Sequence, residues 1–433
     1  MQKQLVAIGL KNNIMKILWV TNSIMPDLAI ALGSVPSPFG GWKFGLSQDL
    51  SSNGVSLIIV SVREKEKQFY KKINGIEYFL LEGKKTSIEY DPFLEKQWAE
   101  VIDKTKPDLI HIHGSEHAHG LALINCRPNQ KFILSIQGLT SVYASYYKSG
   151  ISIKEIYKNI TFKDLIKKQG ILSQQKSFVK RGEIEKQYFQ KISHVMGRTE
   201  WDKAHTINLN SSLKYHFCNE SLRDIFYTNK KWNIDNIKKN TIFLSQAGYP
   251  IKGMHQVIKA VSLIKKEFPD VIIKFAGKDI MRTGTSLKDK LKMDGYGKYL
   301  NSLIKKYSLE ENIQYLGVLS ENQMHEEYLK SHIFICPSSI ENSPNSLGEA
   351  QILGVPCISS YVGGVPDMAE HRKTALLYRF EEIEVLAEQI KLIFNDSEFA
   401  NQLSKNGIIE ATKRHNRDTN LKNTLNIYSE IIS

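Results

Sequence analysis

Two series of short apolar runs alternate with helical patterns along this chain, and this alternation is what most limits the folds open to it. The runs are residues 16–22, 55–62, 108–113, 131–137 and 194–198 in the first series and 241–245, 271–276, 313–316, 332–336 and 355–360 in the second. Strands that alternate with helices pair in parallel through right-handed crossovers. We therefore predict an α/β protein made of two Rossmann-like, doubly wound domains.

The chain of 433 residues is long enough for two separate cores. We expect the first domain at 15–205 and the second at 241–417, with the polar stretch 206–240 as the connection. The last helix, 418–433, is expected to rejoin the first domain, and residues 1–14 are interpreted as a tail or a misassigned start. Since ligands of such sheets bind beyond the carboxyl ends of the strands, a site is expected in the cleft between the domains.

The composition is that of a folded protein with a surplus of basic residues. Apolar residues make up 42% and charged residues 24%, and 58 Lys and Arg against 45 Asp and Glu give a formal net charge of +13. These values exclude a disordered chain and favour an anionic partner such as nucleic acid, a membrane surface or a phosphorylated substrate. No RNA- or DNA-binding module is recognisable, so nucleic acid is not the expected partner.

The cysteines and the apolar runs bear on the compartment. The four cysteines, at positions 126, 218, 336 and 357, are far apart and form no C-x-x-C pair, which argues against a zinc site and a disulfide framework. The apolar run at 5–10 is too short for a signal segment or a membrane span. We expect a cytoplasmic protein.

The basic residues concentrate at 143–181, where nine Lys and Arg stand against two acidic residues and alternate with aromatic and aliphatic side chains. A basic amphipathic helix of this kind lies on anionic membranes, which would place the protein at the inner face of the membrane. The same composition also fits a solvated helical insertion over the first domain. The sequence leaves both interpretations open.

The segment 338–367, SSIENSPNSLGEAQILGVPCISSYVGGVPD, holds the residues best suited to chemistry. Glu341 lies in the loop after a strand, and Glu349 lies in the helix that follows. A carboxylate in the loop can hold sugar hydroxyls, and one in the first helical turns can bind a ribose diol. The segment is therefore a candidate ligand site at this strand–helix junction.

The start of that helix, at Asn345, Ser346 and Leu347, is a natural seat for phosphate because its N–H groups and its positive dipole end point at the cleft. A second interpretation competes for the same residues. Ser346 and Glu349 have the spacing of a capping box, in which Glu349 would only satisfy a backbone amide. Asn345 competes with Ser346 as the capping residue.

The Glu-x7-Glu pair, followed by G-V-P and by G-G-V-P-D, resembles the signature of retaining glycosyltransferase family 4, whose members have the GT-B fold. ENSPNSLGEA is similar to a bacterial subgroup linked to surface polysaccharide assembly. The resemblance covers nearly the whole chain from Met15 and implies two domains facing a central cleft. It implies that Glu341 contacts the donor sugar and Glu349 the ribose, with Gly363 and Gly364 also on the donor side.

The resemblance also implies how the donor diphosphate is held. Lys252, which Gly253 follows, resembles the K-G element whose lysine neutralises the leaving diphosphate. The family usually has an arginine five residues earlier, where this chain has Ala247. Arg198 and Arg223 are the candidates for the missing cation by location, and either could instead be an ordinary salt-bridge partner.

A glycine pair after the first strand, Gly40 and Gly41, allows close approach of a phosphate or an acceptor. The resemblance implies a donor-phosphate and acceptor loop there, with Trp42 on the acceptor side. Many family members have a histidine where this chain has Gln137, which cannot act as a base. Gln137 and His113, at the ends of neighbouring strands, are the other acceptor-side candidates.

Four histidines, His111, His113, His117 and His119, invite a metal-site interpretation. No cluster of carboxylates accompanies them, and histidines in strands are often packed or capping, so we expect no metal. We also expect no cofactor, because the nucleotide sugar, UDP- or GDP-linked, is the substrate. The resemblance implies that its diphosphate is held without a metal.

These observations predict a glycosyltransferase that moves a sugar from a nucleotide-sugar donor to a glycan or glycolipid acceptor with retention. Two alternatives stay open. One is a catalytically degenerate protein of the same fold that only binds nucleotides, which the departures at Ala247 and Gln137 allow. The other is a nucleotide-sugar epimerase, which would turn over its donor without an acceptor.

Overall fold

The computed structural model describes residues 14–36, 41–64, 66–281 and 292–433. The strands of the first half are β1 (Lys16–Thr21), β2 (Ser56–Glu64), β3 (Phe69–Ile73), β4 (Ile76–Gly83), β5 (Leu109–His113), β6 (Phe132–Ser135), β7 (His194–Gly197) and β8 (Lys214–Phe217). They form a sheet in the order β3-β4-β2-β1-β5-β6-β7-β8, parallel except between β3 and β4. Its helices are α1 (Pro26–Ala31), α2 (Trp42–Ser52), α3 (Phe93–Thr105), α4 (His119–Cys126), α5 (Thr140–Tyr146), α6 (Ile153–Lys158), α7 (Phe162–Lys167), α8 (Ile171–Lys191) and α9 (Glu200–Leu209).

The second half forms its own sheet. Its strands are β9 (Lys238–Leu244), β10 (Ile272–Phe275), β11 (Ile313–Tyr315), β12 (Ser331–Cys336), β13 (Cys357–Ser360) and β14 (Leu376–Tyr378). They pair in parallel in the order β11-β10-β9-β12-β13-β14. The helices described there are α10 (Met254–Ile264), α11 (Gly295–Lys306), α12 (Glu321–Lys330), α13 (Asn345–Leu353), α14 (Ile383–Asn395), α15 (Ser397–Arg414) and α16 (Arg417–Ile432). Two doubly wound α/β domains are confirmed.

The central strands are continuous apolar runs because helices cover both faces of each sheet. In β1, Leu18 and Val20 belong to the apolar cluster on one face, whereas Ile17 and Trp19 belong to the cluster on the other. All four side chains are almost completely buried. A run of this kind positions the strand ends, and the loops that follow them, at one edge of the sheet.

The first sheet departs from strict strand–helix alternation at its outer edge. β3 and β4 form an antiparallel hairpin through Asn74 and Gly75, whose φ angles are 49° and 82°. Asn-Gly at positive φ is the residue pair that two-residue hairpin turns favour. This hairpin was not predicted, although Lys71 and Lys72 also give β3 the charged, exposed character of an edge strand.

The first domain extends beyond the predicted end at residue 205. The stretch 206–240, expected to be only a connection, contains the end of α9 and the strand β8, which pairs with β7. The C-terminal helix α16 returns to the first sheet. There the Tyr428 hydroxyl accepts a hydrogen bond from Trp19 Nε1 at 3.0 Å and lies 2.6 Å from His111 Nδ1.

The basic segment 143–181 is neither one amphipathic helix nor an insertion confined to the first domain. It runs from α5 through α6 and α7 into α8. Four of its apolar side chains are buried in the core of the second domain, namely Tyr147, Ile151, Ile156 and Ile171. The interpretation as an insertion over the first domain was wrong, because the helical pattern does not show which domain a helix packs against.

Candidate active site

A cavity of about 290 Å³ lies between the two domains, at the carboxyl ends of their central strands. Gly41 and Trp42 of the first domain line one side of it. Arg223, from the connection between the domains, lines it together with Lys252 and residues 334–338 of the second domain. The cleft expected from the fold is therefore a real concavity formed by both domains.

Glu349 reaches this cavity from the second turn of α13. Its Oε1 accepts a hydrogen bond from Arg223 Nε at 2.9 Å and forms an ion pair with Arg223 Nη2 at 2.8 Å. Its Oε2 accepts a hydrogen bond from the Tyr328 hydroxyl at 3.3 Å. Burial raises the pKa of the Glu349 carboxyl, and the Arg223 guanidinium opposes that rise. The carboxylate is thus held at the cavity wall by groups from two parts of the chain.

The capping-box interpretation of Glu349 is wrong. α13 begins at Asn345 with Pro344 in the N-cap position, and no side chain caps its first turn. The Ser346 carbonyl accepts a hydrogen bond from the Tyr328 hydroxyl at 3.1 Å. Ser346 and Asn345 both line the cavity. Glu349 makes no capping bond, and its carboxylate is instead directed at Arg223 and Tyr328 at the cavity wall.

Glu341 forms a second pair in the same cavity. Its Oε1 accepts hydrogen bonds from Lys252 Nζ at 2.6 Å and from the Ser338 hydroxyl at 2.7 Å. Burial by itself would lower the pKa of the Lys252 ammonium. The charge of Glu341 and the nearby Tyr249 raise this pKa by more than burial lowers it, so that it stands well above its ordinary value. Lys252 is therefore a fixed positive charge facing a buried carboxylate.

Gly253 explains how Lys252 reaches this position. Its φ is +68°, and a Cβ at this residue would lie 1.7 Å from the carbonyl oxygen of Pro337. Only glycine allows the turn after β9 to press against the loop after β12. The K-G pair of the sequence is thus needed to bring Lys252 and Glu341 together.

The structure corrects three donor-side predictions. Leu347 is fully buried and its N–H donates to the Pro344 carbonyl at 2.9 Å, so it offers no amide to a phosphate. Gly363 and Gly364 lie behind the loop instead of in the cavity. A Cβ on Gly363 would meet the Glu341 carbonyl oxygen at 1.9 Å, and one on Gly364 would meet the Asn342 carbonyl oxygen at 2.3 Å. These glycines support the loop that carries Glu341.

Arg198 is also outside the cavity. Its guanidinium is buried, forms an ion pair with Glu220 and donates to the Ile136 carbonyl at 2.7 Å. Gln137 Nε2 donates to Glu220 at 3.2 Å, and the Asn345 side chain also hydrogen-bonds to this carboxyl. Glu220, which the sequence analysis did not single out, thus joins these residues beneath the cavity.

In the loop after the first strand, Gly41 and Trp42 line the cavity, whereas Gly40 lies outside the described residues. The His113 ring lies 5.9 Å from the Trp42 ring. Neither ring nitrogen of His113 has a hydrogen-bond partner among the described residues. Burial, with His111 and Lys43 adding to it, lowers the pKa of His113 well below its ordinary value, so the ring is neutral.

Of the four histidines singled out in the sequence, His111 has a hydrogen-bond partner at each ring nitrogen. His111 bonds to Tyr428 and, at 2.6 Å, to the Ser135 hydroxyl. Within the described ranges, no group of three or more His, Cys, Asp or Glu side chains is placed to hold a metal ion. This arrangement makes His111 part of the junction between β5 and α16.

A short polar contact joins the two domains next to Glu341. The Asn342 side chain accepts a hydrogen bond from the Thr199 hydroxyl at 2.7 Å and donates one to Asp202 at 2.9 Å. All three residues are buried. The loop that carries Glu341 is therefore held by the first domain as well as by its own.

Two Rossmann-like domains that face each other across a cleft, with a C-terminal helix crossing back to the first, define the GT-B fold of glycosyltransferases. The structure resembles sucrose-phosphate synthase from Thermosynechococcus elongatus with a TM-score of 0.70 at 15% identity, covering 96% of this chain and 99% of that one. It also resembles Anabaena Alr3699/HepE, crystallised with UDP and glucose, with a TM-score of 0.65 at 14% identity over 96% of this chain and 100% of that one.

The sequence of the second domain carries a more specific likeness. Residues 227–409 match the model of the family described as Glycosyl transferases group 1. Over 184 residues the chain is 24% identical to YqgM of Bacillus subtilis, an uncharacterized glycosyltransferase. These residues make up 42% of this chain and 47% of the relative. That alignment spans about half the length of the relative. The segment 227–409 that matches the family model contains Lys252, Glu341 and Glu349.

Proposed function

We propose that this protein is a retaining glycosyltransferase that moves a sugar from a UDP- or GDP-linked donor to a glycan or lipid-linked acceptor in surface polysaccharide biosynthesis. The observation that carries the proposal is the convergence of Glu341, Glu349, Lys252 and the start of α13 on one interdomain cavity. Carboxylates that accept sugar hydroxyls and cations that accept a diphosphate are what a sugar nucleotide requires.

The chemistry follows from the charges at the cavity. Departure of a nucleoside diphosphate develops negative charge, which the Lys252 ammonium and the N–H groups of Asn345 and Ser346 would stabilise. Glu341 would orient the donor sugar. A phosphate oxygen of the leaving group can take the acceptor proton, so that no protein base is needed and Gln137 is compatible with transfer. The first domain would exclude water from the reacting centre.

Calorimetric binding of UDP, GDP, ADP and CMP is the first experiment. We expect one diphosphate to bind, and we expect Lys252→Met to weaken it at least tenfold because a charge-assisted contact is worth about 1.5–3 kcal/mol. Lys330→Met, which alters an exposed lysine on α12, is the matched control. Absence of binding by any nucleotide would overturn the proposal.

The catalytic and stereochemical parts need a second measurement. Incubation with the donor that binds, with and without a lipid-linked or glycan acceptor, separates transfer from epimerisation, since an epimerase converts the donor alone. The anomeric configuration of the product, determined by NMR, tests retention. Binding without any turnover would support the degenerate alternative instead.

We propose further that α6 and α7 contact an anionic membrane at the inner face, where a lipid-linked acceptor would be found. Exposed apolar side chains on these helices are Ile153, Tyr157, Phe162, Leu165 and Ile166. Exposed lysines accompany them, namely Lys154, Lys158, Lys167 and Lys168. Within the described ranges, no helix has both the length and the apolar content to cross a bilayer.

Vesicle co-sedimentation tests this contact. We expect binding to phosphatidylglycerol vesicles but not to phosphatidylcholine vesicles, because each lysine near an anionic surface contributes about 1 kcal/mol. Charge reversal in Lys167→Glu/Lys168→Glu should abolish it, whereas Lys330→Glu, on another helix, should not. Binding that survives the reversal contradicts this contact.

A further inference from the structure

Arg223 is the residue of the cavity whose role the sequence left unresolved. It lies in the connection between β8 and β9, just before the segment 227–409 that matches the family model. Its side chain is only 13% exposed and its guanidinium lies 4.8 Å from the Phe226 ring. The guanidinium is therefore fixed in place at the cavity wall by packing as well as by charge.

The described side chains that line the cavity include two cations, and each one is paired with a carboxylate of the cavity. Lys252 Nζ lies 2.6 Å from Glu341 Oε1, and Arg223 Nη2 lies 2.8 Å from Glu349 Oε1. Arg223 also lies 3.8 Å from Glu321. The charges of these two cations are thus neutralised by carboxylates of the same cavity, because a buried charge without a partner is costly.

The other candidates for a second cation are excluded by geometry. Ala247 is buried in the core of the second domain, so this position has neither the charge nor the exposure to meet a ligand. Arg198 is committed to Glu220 and to a backbone carbonyl. Among the described residues at the cavity, Arg223 alone adds a guanidinium, whose fork matches the paired oxygens of a phosphate.

We propose that Arg223 is the second cation for the donor diphosphate and that nucleotide binding moves its guanidinium from Glu349 to the diphosphate oxygens, which frees Glu349 for the ribose hydroxyls. This inference rests on the proposed function, since it assumes that a nucleoside diphosphate is the ligand. The exchange conserves pairing, because a cation–carboxylate contact is replaced by a cation–phosphate contact and carboxylate–hydroxyl hydrogen bonds.

The test compares ligands that differ only in phosphate. Uridine, UMP and UDP (or the guanosine series, if GDP binds) are titrated into the protein, Arg223→Met and Arg223→Lys. We expect Arg223→Met to weaken diphosphate binding at least tenfold while changing nucleoside affinity less than threefold. The diphosphate affinity of Arg223→Lys should fall between the two, because lysine keeps the positive charge but lacks the planar guanidinium fork. Arg127→Met, at an exposed ion pair of the first domain, is the control.

Two outcomes overturn the inference. An equal loss for nucleoside and diphosphate in both variants would make Arg223 a positioning residue for Glu349. Unchanged diphosphate affinity in Arg223→Met would remove it from the site altogether. Failure of the proposed function looks different, because the unaltered protein would then bind no diphosphate. Thermal unfolding of each variant shows whether a loss comes from misfolding.

Discussion

At the scale of single residues, Gly41 shows how closely the two domains approach each other at the cavity. A Cβ on Gly41 would lie 2.8 Å from Glu321 Oε1 and 3.1 Å from Arg223 Cδ. Gly41 belongs to the first domain, whereas Glu321 begins a helix of the second. The absence of a side chain at Gly41 therefore leaves room for Arg223 at the cavity wall.

We predict that Gly41→Ala lowers kcat/KM for transfer by about tenfold, because displacing a positioning side chain by a fraction of an ångström has effects of this size. The atoms in the way are ends of flexible side chains, so the protein should still fold. Gly45→Ala, in the helix that Gly41 precedes, is the matched control, since its Cβ would meet nothing closer than 3.4 Å. Equal rates for the two variants would contradict the prediction.

At the scale of elements, the starts of α12 and α13 differ in whether side chains cap their first-turn N–H groups. Ser320 and Gln323 form a complete capping box at the start of α12, with both reciprocal hydrogen bonds present. The start of α13 has no side-chain cap and faces the cavity. Its unsatisfied N–H groups are available to a ligand, which is what an anion site at a helix N-terminus requires.

We predict that Ser320→Ala lowers the free energy of unfolding by about 1 kcal/mol, which is the usual cost of a lost N-cap. Ser346→Ala should have little effect on stability, because its side chain caps nothing. Urea unfolding of both variants beside the unaltered protein is the measurement. A cost for Ser346→Ala as large as that for Ser320→Ala would restore the capping role that the structure denies to Ser346.

At the scale of the whole molecule, buried histidines occur at junctions between distant segments. His111 joins β5 to α16, and His255 bonds at 3.0 Å to Tyr296 and at 2.9 Å to the Ser149 carbonyl of the basic segment. Burial lowers the pKa of each ring to about 3 from an ordinary value of 6.5. Each ring is therefore neutral in the folded protein at any physiological pH.

This predicts a loss of stability in mild acid. Because the folded-state pKa lies below the unfolded one, the contribution of each histidine is fully present above about pH 6.5 and is lost as the pH falls towards 3. By pH 5 the loss is roughly 2 kcal/mol for each ring. Urea unfolding at pH 7.5 and pH 5 is the measurement.

His255→Gln should reduce the difference between the two pH values, since glutamine does not titrate. His371→Gln, which changes an exposed histidine of the second domain, should leave the difference as it is. A pH dependence that is the same in His255→Gln as in the unaltered protein would contradict the assignment of this effect to His255.

The sequence alone determined the two doubly wound domains and their parallel strands, because strand and helix periodicity is local and a buried parallel strand needs an apolar run. It also brought attention to Glu341, Glu349 and Lys252, since these residues lie in loops that directly follow central strands or in the helix after one. The Asn74-Gly75 hairpin was available from the sequence and was overlooked.

Tertiary structure decided which charges meet. Arg223 and Glu349 are 126 residues apart, and no pattern in the chain distinguishes Arg223 from Arg198 as the cation at the cavity. The exclusion of Leu347, Gly363 and Gly364 from the cavity likewise depends on which atoms lie against them. So does the burial of Tyr147 and Ile156 in the second domain. Contacts of this kind are set by how the two sheets and their connection pack, which local periodicity does not specify.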